Sequence, residues 1–200
     1  MEPLSHLSRV AFLQAGGKST RMGENKAFIQ FSGQTLLSRA LQTLAEVCAE
    51  VTIVGESEVF AGYGKVVSDI YPNCGPLGGI HAALASSSAA LNVMLAVDMP
   101  FVTAGLLRFL CERASETHSL VTVPRTSRGL QPLCAVYRPD FARIAEQSLR
   151  ARKFKIDLAF AGIPIHVVTG PELAAAGFSE QSFFNVNTPE DRRIAANLKP

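Results

Sequence analysis

A glycine-rich segment near the N-terminus carries the strongest chemical signal in this sequence. It reads Ala15-Gly-Gly-Lys-Ser-Thr-Arg-Met-Gly23, and Lys26 follows three residues later. Glycines after a strand let backbone N–H groups approach phosphate oxygens, because no Cβ blocks them. Arg21 and Lys26 add positive charge suited to a polyphosphate. The spacing matches neither GxxxxGK[ST] nor GxGxxG, so it disfavours a P-loop ATPase and a dinucleotide-dependent dehydrogenase. The alternative is a plain glycine turn with surface cations.

A lone carboxylate, Asp98, directly follows the most apolar run of the chain, residues 91–97. The end of a buried parallel strand lies at the edge of the sheet where ligands bind. Carboxylate oxygens are hard ligands that suit Mg²⁺, which also takes oxygens from substrate phosphates. Asp98 is therefore a candidate magnesium ligand. An ordinary turn-forming Asp before Pro100 is an equally good interpretation of this residue alone.

A second glycine-rich segment, Gly75-Pro-Leu-Gly-Gly-Ile80, comes shortly after Asp69. Glycines before a helix permit a nucleotide to approach its N-terminus, where the helix dipole favours negative charge. Pro76 suits the first turn of that helix. By itself the segment fits a simple turn-to-helix junction as well.

Two asparagines near the C-terminus, Asn185 and Asn187, belong to the segment Phe184-Asn-Val-Asn-Thr-Pro-Glu-Asp191. In an extended backbone they project from the same face. Their amides could bind a polar ring or complete a metal shell, or merely hydrogen-bond at a helix entry. Thr188, Pro189 and Asp191 predict that a capped helix begins there.

The elements that must position these residues alternate between strand and helix. Short apolar runs predict strands at 10–13, 51–54, 65–68, 91–97, 120–123, 133–137 and 163–168, and helical spacing predicts helices beginning near 36, 77, 106, 141 and 189. Continuous apolar strands alternating with helices predict an α/β fold with a mostly parallel sheet covered on both faces. The length of 200 residues suits a single domain over 1–200. The polar stretch 124–129, which includes Arg125 and Arg128, predicts a mobile surface loop.

Composition narrows the function classes. Hydrophobic residues make up 48% of the chain and the net charge is only +2, which disfavours disorder and nucleic-acid binding. The basic cluster Arg150, Arg152, Lys153 and Lys155 is best interpreted as a solvated helix end. The four cysteines lack zinc-site spacing, which favours reduced thiols over a structural metal site. Neither a signal peptide nor a membrane span is indicated, so we expect a cytoplasmic protein without a membrane partner.

Together these segments resemble the molybdenum cofactor guanylyltransferases, a family of nucleotidyltransferases. The resemblance runs over about residues 9–196 and also includes Gln131-Pro-Leu-Cys-Ala-Val-Tyr137. The first glycine segment is shared with many nucleotidyltransferases, including those for sugar phosphates. The ending Asn-Val-Asn-Thr-Pro-Glu is more specific to the cofactor enzymes.

The resemblance implies a Rossmann-like, three-layer α/β/α fold that transfers GMP from GTP to the terminal phosphate of molybdopterin, with Mg²⁺ as cofactor. It implies catalytic roles for Arg21, Lys26 and Asp98, and makes Asp98 the metal ligand. The implied nucleotide-binding residues are Leu13, Ala15, Gly16, Gly17, Lys26, Asp69, Gly79 and Asp98, with Leu13 contacting the base through its backbone. Asn185 and Asn187 are implied on the acceptor side, and molybdoenzymes or cofactor-handling proteins are implied as further partners.

Two residues depart from the family pattern. Gln14 replaces the apolar residue common before Ala-Gly-Gly, and Asn25 stands where the family usually has Asp before the lysine. Alternatives therefore stay open at this point. The chain could transfer nucleotides from CTP or to another phosphate acceptor, or it could be a catalytically silent GTP-binding module.

Overall fold

A mixed sheet forms the centre of the computed structural model, which describes residues 7–16 and 25–198. In chain order the strands are β1 (Arg9–Gln14), β2 (Gln30–Phe31), β3 (Gln34–Thr35), β4 (Val51–Val54), β5 (Lys65–Val67), β6 (Leu91–Ala96), β7 (Val121–Thr126), β8 (Gly129–Leu130), β9 (Cys134–Tyr137) and β10 (Ile165–Val168). The order across the sheet is β10-β7-β9-β6-β1-β4-β5, with β8 paired to β7, while β2 and β3 form a separate hairpin.

The α-helices are α1 (Leu36–Ala45), α2 (Ser57–Phe60), α3 (Pro76–Ala85), α4 (Ala104–Ser115), α5 (Phe141–Arg150), α6 (Ile156–Phe160), α7 (Gly170–Ala175) and α8 (Pro189–Asn197). Short 3-10 helices lie at Lys26–Phe28, Ala61–Tyr63 and Glu180–Phe183. Thr188 caps α8 as predicted, since its side chain accepts a hydrogen bond from the Asp191 N–H. Asp191 in turn accepts from the Asn187 N–H at 2.9 Å.

The chain direction of the strands confirms the predicted mostly parallel sheet. β1 pairs in parallel with β4 and with β6, whereas β9 is antiparallel to both β6 and β7. One apolar cluster packs α1 and α4 against one face of the sheet, and a second packs α3 and α5 against the other. These three layers are the predicted α/β/α arrangement. They bury both faces of the central strands, which explains the unbroken apolar runs.

The stretch 124–129 is not the loop that its composition predicts. β7 continues through Thr126, and a tight turn returns the chain as β8, with Gly129 at a φ of +106°. The Gln131 N–H donates to the Pro124 carbonyl at 2.9 Å, and the Ser127 N–H and hydroxyl both donate to the Glu180 carboxylate. Pairing with β8 therefore overrides the turn-like composition.

The structure agrees with the sequence on two smaller points. The residues Arg150, Arg152, Lys153 and Lys155 are all exposed, as expected of a solvated helix end. Of the helices in the described part of the chain, none is both long enough and apolar enough to span a membrane.

Candidate active site

A cavity of about 720 Å³ opens at the carboxyl ends of the central strands. Its walls include Gln14, Gly16, Lys26, Asp69, Gly75 and Asp98. It lies where β1 separates β4 from β6, the point at which the strand order reverses. Open α/β sheets bind ligands at such a point, and the volume falls within the roughly 300–1,000 Å³ of small-molecule pockets.

One wall of the cavity holds a charged cluster from three distant parts of the chain. The Lys26 ammonium donates to Asp98 Oδ2 at 2.6 Å and to Asn187 Oδ1 at 3.3 Å. The Asp98 side chain is only 8% exposed and that of Lys26 is 24% exposed. Because the pair is largely shielded from water, its electrostatic interactions are stronger than those of a surface ion pair.

Local backbone structure fixes each member of this cluster. The Asn25 side chain caps the 3-10 helix that begins at Lys26, accepting from the Ala27 N–H at 3.1 Å. The Asp98 carbonyl accepts from the Val186 N–H at 2.8 Å, which fastens the C-terminal segment to the end of β6. Val186 is fully buried, so Asn185 and Asn187 on either side of it are held close to Asp98.

Unpaired oxygens remain beside the Lys26–Asp98 pair. Asp98 Oδ1 and Asn185 Oδ1 are both buried and have no hydrogen-bond partner within residues 7–16 and 25–198. Buried polar atoms in native proteins are normally satisfied by a partner, an ion or water. A carboxylate oxygen in this setting fits a hard divalent cation such as Mg²⁺, which usually takes one or two protein carboxylates together with phosphate oxygens.

A second wall is built on the end of β1 and the start of α3, and we call it the neutral wall because neither of these two segments contributes a charged side chain to the cavity. The Gln14 Nε2 group donates to the Pro76 carbonyl at 3.4 Å, and the carboxamide lies directly over Gly79. A Cβ at residue 79 would lie 2.1 Å from Gln14 Nε2, so any side chain there would have to displace this carboxamide from its position. Gly75, at a φ of +68°, makes the turn that leads into α3.

The loop between β5 and α3 forms the rim of the cavity next to this neutral wall. Asp69, Asn73 and Gly75 of the loop line the cavity. Partial burial raises the pKa of the Asp69 carboxyl above its ordinary 3.8. The Tyr71 hydroxyl donates to Glu146 of α5 at 3.0 Å, which ties the loop to the outer helix layer.

The structure brings together most, but not all, of the residues singled out from the sequence. Gly16, Lys26, Asp69 and Asp98 line the cavity, and Gly79 supports its neutral wall. The backbone N–H of Ala15 donates to the Val54 carbonyl at 3.0 Å. Leu13 is fully buried and paired on both sides, and among the described residues it is Gln14, not Leu13, that lines the cavity. Gly17 and Arg21 lie outside the described residues.

Sequence reasoning noticed Gln14 as a departure from a pattern but did not place it in the site. Asn73 and Leu133, which also line the cavity, were not singled out. The position of Gln14, directly after a buried strand and before the glycine segment, was the available signal. Asn73 gave no such signal, because it lies in an irregular segment whose path depends on tertiary contacts. Leu133 was assigned to a predicted strand and not to the site.

With the fold and the site in place, comparison with known proteins identifies the family. The sequence profile described as the MobA-like NTP transferase domain matches residues 11–157. The chain therefore belongs to the MobA-like NTP transferase family, and it is a nucleotidyltransferase. This confirms the resemblance found in the sequence.

Two named relatives and one solved structure are similar along nearly the whole chain. A probable molybdenum cofactor guanylyltransferase from Pelotomaculum thermopropionicum is 40% identical, covering 92% of this chain and 90% of the relative. A molybdenum cofactor guanylyltransferase from Desulfosudis oleivorans is 31% identical, covering 88% of this chain and 89% of the relative. The crystal structure of molybdopterin-guanine dinucleotide biosynthesis protein A from Archaeoglobus fulgidus aligns with a TM-score of 0.82 and 26% identity, over 94% of this chain and 96% of that one.

Proposed function

We propose that this chain is a magnesium-dependent molybdenum cofactor guanylyltransferase. In this proposal it transfers GMP from GTP to the terminal phosphate of molybdopterin and releases pyrophosphate. The names of the relatives support the choice of nucleotide and acceptor. The observation that carries the chemistry is the Lys26–Asp98–Asn187 cluster on the wall of a nucleotide-sized cavity.

The reaction needs positioning and charge stabilisation more than covalent protein chemistry. A terminal phosphate oxygen of molybdopterin attacks the α-phosphorus of GTP in line, forming the new P–O bond as the bond to pyrophosphate breaks. The attacking phosphate is already ionised, so no general base is required. Lys26 lies where its ammonium can stabilise the charge that develops on the phosphates. Asn187, whose Oδ1 accepts a hydrogen bond from Lys26, helps to orient this ammonium.

Asp98 and the buried oxygen of Asn185 would hold the metal, and Asp98 Oδ1 is the carboxylate oxygen free to do so among the described residues. Bound Mg²⁺ would neutralise charge on the reacting phosphates and help orient them. The residues of the chain set the position of the triphosphate, with Gly16 allowing close approach of the backbone at the end of β1.

Asn25 argues against the catalytically silent alternative. Its carboxamide oxygen caps the 3-10 helix that carries Lys26, which is the local role that an Asp at the same position would perform. The replacement therefore keeps Lys26 on Asp98. A neutral amide at this position also adds no negative charge beside the Lys26 ammonium.

The test is pyrophosphate release from GTP, CTP and ATP, each with Mg²⁺, with and without molybdopterin. We expect turnover with GTP that requires molybdopterin, and its loss in Asp98→Ala. Asp140→Ala, which removes a carboxylate next to α5, is the matched control and should leave turnover intact.

Other outcomes would overturn the nucleotide, the acceptor or the metal separately. Turnover with CTP alone would retain the mechanism and overturn the guanine assignment. Binding of GTP without pyrophosphate release, with authentic molybdopterin present, would overturn the acceptor and support a silent binding module. Equal turnover with Mg²⁺ and with chelator would overturn the role of the metal.

A further inference from the structure

The loop between β5 and α3 lines the cavity but has few backbone hydrogen bonds of its own. Within the described part of the chain, no backbone N–H of residues 69–74 donates to another backbone group. Asp69, Pro72 and Asn73 of this stretch nevertheless form part of the cavity wall. A segment with so few backbone hydrogen bonds opens at a low cost in free energy, so side chains must hold the loop in place.

Tyr71 connects the middle of this loop to two helices, α3 and α5. Its hydroxyl donates to Glu146 Oε1 of α5 at 3.0 Å. Its ring packs edge-to-face against the buried His81 of α3, with 5.2 Å between the ring centroids. Its carbonyl oxygen lies 3.0 Å from the position that a Cβ on Gly78 would occupy, so the loop approaches α3 closely. Tyr71 is therefore held by both helices that cover this face of the sheet.

Glu146 is a strong acceptor for the Tyr71 hydroxyl. Arg150, one turn further along α5, donates to the same carboxylate oxygen from Nε at 3.2 Å and from Nη2 at 2.8 Å. The hydrogen bonds from Arg150 and Tyr71 lower the pKa of the Glu146 carboxyl, so this group is ionised at neutral pH. Because hydrogen bonds to an ionised acceptor are stronger than those between neutral groups, this bond is suited to hold the loop before a nucleotide binds.

We propose that Tyr71 and Glu146 are positioning residues that hold the β5–α3 loop, and with it Asp69, in the arrangement that receives the nucleotide. Among the described residues the cavity wall includes neither of the two, so they act through the loop and not by touching the substrate. This inference rests on the proposed function, since it takes Asp69 as a nucleotide-binding residue. A loop that is already in its binding arrangement raises the apparent affinity, because affinity scales with the fraction of binding-competent protein.

The first test is Tyr71→Phe, which removes the hydroxyl and keeps the ring against His81. We expect the dissociation constant for GTP, measured by titration calorimetry, to rise about fivefold, the size expected when one net hydrogen bond is lost. In steady-state pyrophosphate release, KM for GTP should rise similarly while kcat stays within about twofold, because bound nucleotide restores the loop. Tyr63→Phe makes the same change at an exposed tyrosine and should leave these constants unchanged.

Variants of Glu146 test whether the hydrogen bond itself carries the effect. Glu146→Met removes the acceptor and should reproduce the loss, whereas Glu146→Gln keeps an acceptor oxygen and should recover part of the affinity. The double variant Tyr71→Phe/Glu146→Met should bind GTP no more weakly than either single variant, because both changes remove the same contact. Glu116→Met, which removes a carboxylate paired with Arg113 on α4, is the matched control.

Cys74 lies in the same loop and can report whether the loop leaves its position. It is half-buried, whereas the other three cysteines of the chain are buried. We expect iodoacetamide to alkylate Cys74 severalfold faster in Tyr71→Phe than in wild type, and saturating GTP to remove the difference. Mass spectrometry of the peptide that contains Cys74 measures the rate. Melting temperatures should change little, which separates positioning of the loop from general stability.

A folded Tyr71→Phe protein with wild-type GTP affinity would overturn this inference and leave the guanylyltransferase proposal standing. A lower melting temperature without any change in affinity or in Cys74 labelling would overturn it as well, since the bond would then be merely structural. Weaker GTP binding with faster Cys74 labelling, in a chain that transfers nothing to molybdopterin, would support this inference and overturn the proposed acceptor. A wild-type chain that binds no GTP would overturn both.

Discussion

The two walls of the cavity are built in different ways. The charged wall joins Lys26, Asp98 and Asn187, whose side chains come from the N-terminal, central and C-terminal parts of the chain. The neutral wall joins Gln14 to the first turn of α3, where the loop after β5 enters the helix. Hydrogen bonds from the Lys26 ammonium hold the side chains of the charged wall together. On the neutral wall, the Gln14 carboxamide packs closely against Gly79.

The two walls suit two different tasks, stabilising the charge of the reacting phosphates and recognising the uncharged base. Charge stabilisation depends on a small number of strong groups, so losing one of them should mainly slow the chemical step. Recognition of an uncharged ring depends on shape and on single hydrogen bonds, so changes there should mainly alter affinity. We therefore expect variants of the charged wall to lower mainly kcat, and variants of the neutral wall to lower mainly the affinity for the nucleotide.

The largest effect is expected from Lys26→Met on the charged wall. The variant removes the ammonium that contacts Asp98 and Asn187, and leaves a buried carboxylate unpaired. We expect kcat to fall by about 10²- to 10³-fold, the usual loss when one electrostatic donor is removed. Steady-state pyrophosphate release measures this, with the exposed Lys65→Met as control. A kcat within a few-fold of wild type would show that this wall does not carry the chemistry.

The next effect in size is expected from Gly79→Ala on the neutral wall. The new Cβ would lie 2.1 Å from Gln14 Nε2 and must displace the carboxamide. We expect about 1–3 kcal/mol of destabilisation by overpacking and a weaker affinity for GTP, with little change in kcat. Denaturant unfolding measures the loss of stability, and titration calorimetry measures the affinity for GTP. Gly170→Ala, whose new Cβ meets nothing within 4 Å, is the control.

The double variant Gly79→Ala/Gln14→Ala sharpens this prediction. If the clash with Gln14 is the cause, shortening residue 14 should recover much of the lost stability while the affinity for GTP stays weak. Coupling of this kind is expected for residues in contact. Simple addition of the two single-variant losses would mean that Gly79 serves another purpose in α3.

A smaller effect is expected at Asn25, whose side chain caps the 3-10 helix that carries Lys26 of the charged wall. Asn25→Ala removes the acceptor for the Ala27 N–H and should cost about 1 kcal/mol of stability, with up to about a fivefold lower kcat/KM from a less well-positioned Lys26. Asn25→Asp retains a capping oxygen and should keep stability near wild type. Thermal unfolding and initial rates on both variants check this. Equal losses in the two would show that the cap does not position Lys26.

The smallest effect is expected from Asp69→Asn at the rim of the neutral wall. Because partial burial raises the pKa of Asp69 in the folded state, ionising it works against folding. The wild-type chain should lose stability relative to the variant as pH rises from about 3.8 through the raised pKa. The stability gain of the variant should thus be present at pH 7 and absent at low pH, while its GTP affinity falls.

Denaturant midpoints between pH 4 and pH 8 measure the stability difference, and calorimetry at pH 7 measures GTP affinity. A variant that is more stable and binds more weakly would mark Asp69 as a carboxylate retained for ligand binding. A variant that is less stable at pH 7 would mean that Asp69 stabilises the loop by itself. The exposed Asp157→Asn serves as control.

The sequence predicted more of the fold than of the site. Apolar runs located the central strands because burial on both faces leaves a continuous hydrophobic signature in β1 and β6. The stretch 124–129 was wrongly predicted as a loop, because pairing between β7 and β8 depends on a partner strand that composition does not reveal. The expected backbone contact of Leu13 with the base stays a prediction, whereas strand register, which places the Leu13 side chain in the core and Gln14 at the cavity, was not predicted.

The sequence by itself determined which chemical groups stand at strand ends, since glycines, prolines and the period of apolar residues act over a few neighbouring positions. It thereby placed Gly16 and Asp98 at one edge of the sheet. Only the tertiary structure decided which groups meet there. Lys26 reaches Asn187 across 161 residues of chain, and Gln14 reaches Pro76 across 62. Such contacts depend on strand order and on the direction of single side chains, which no local pattern encodes.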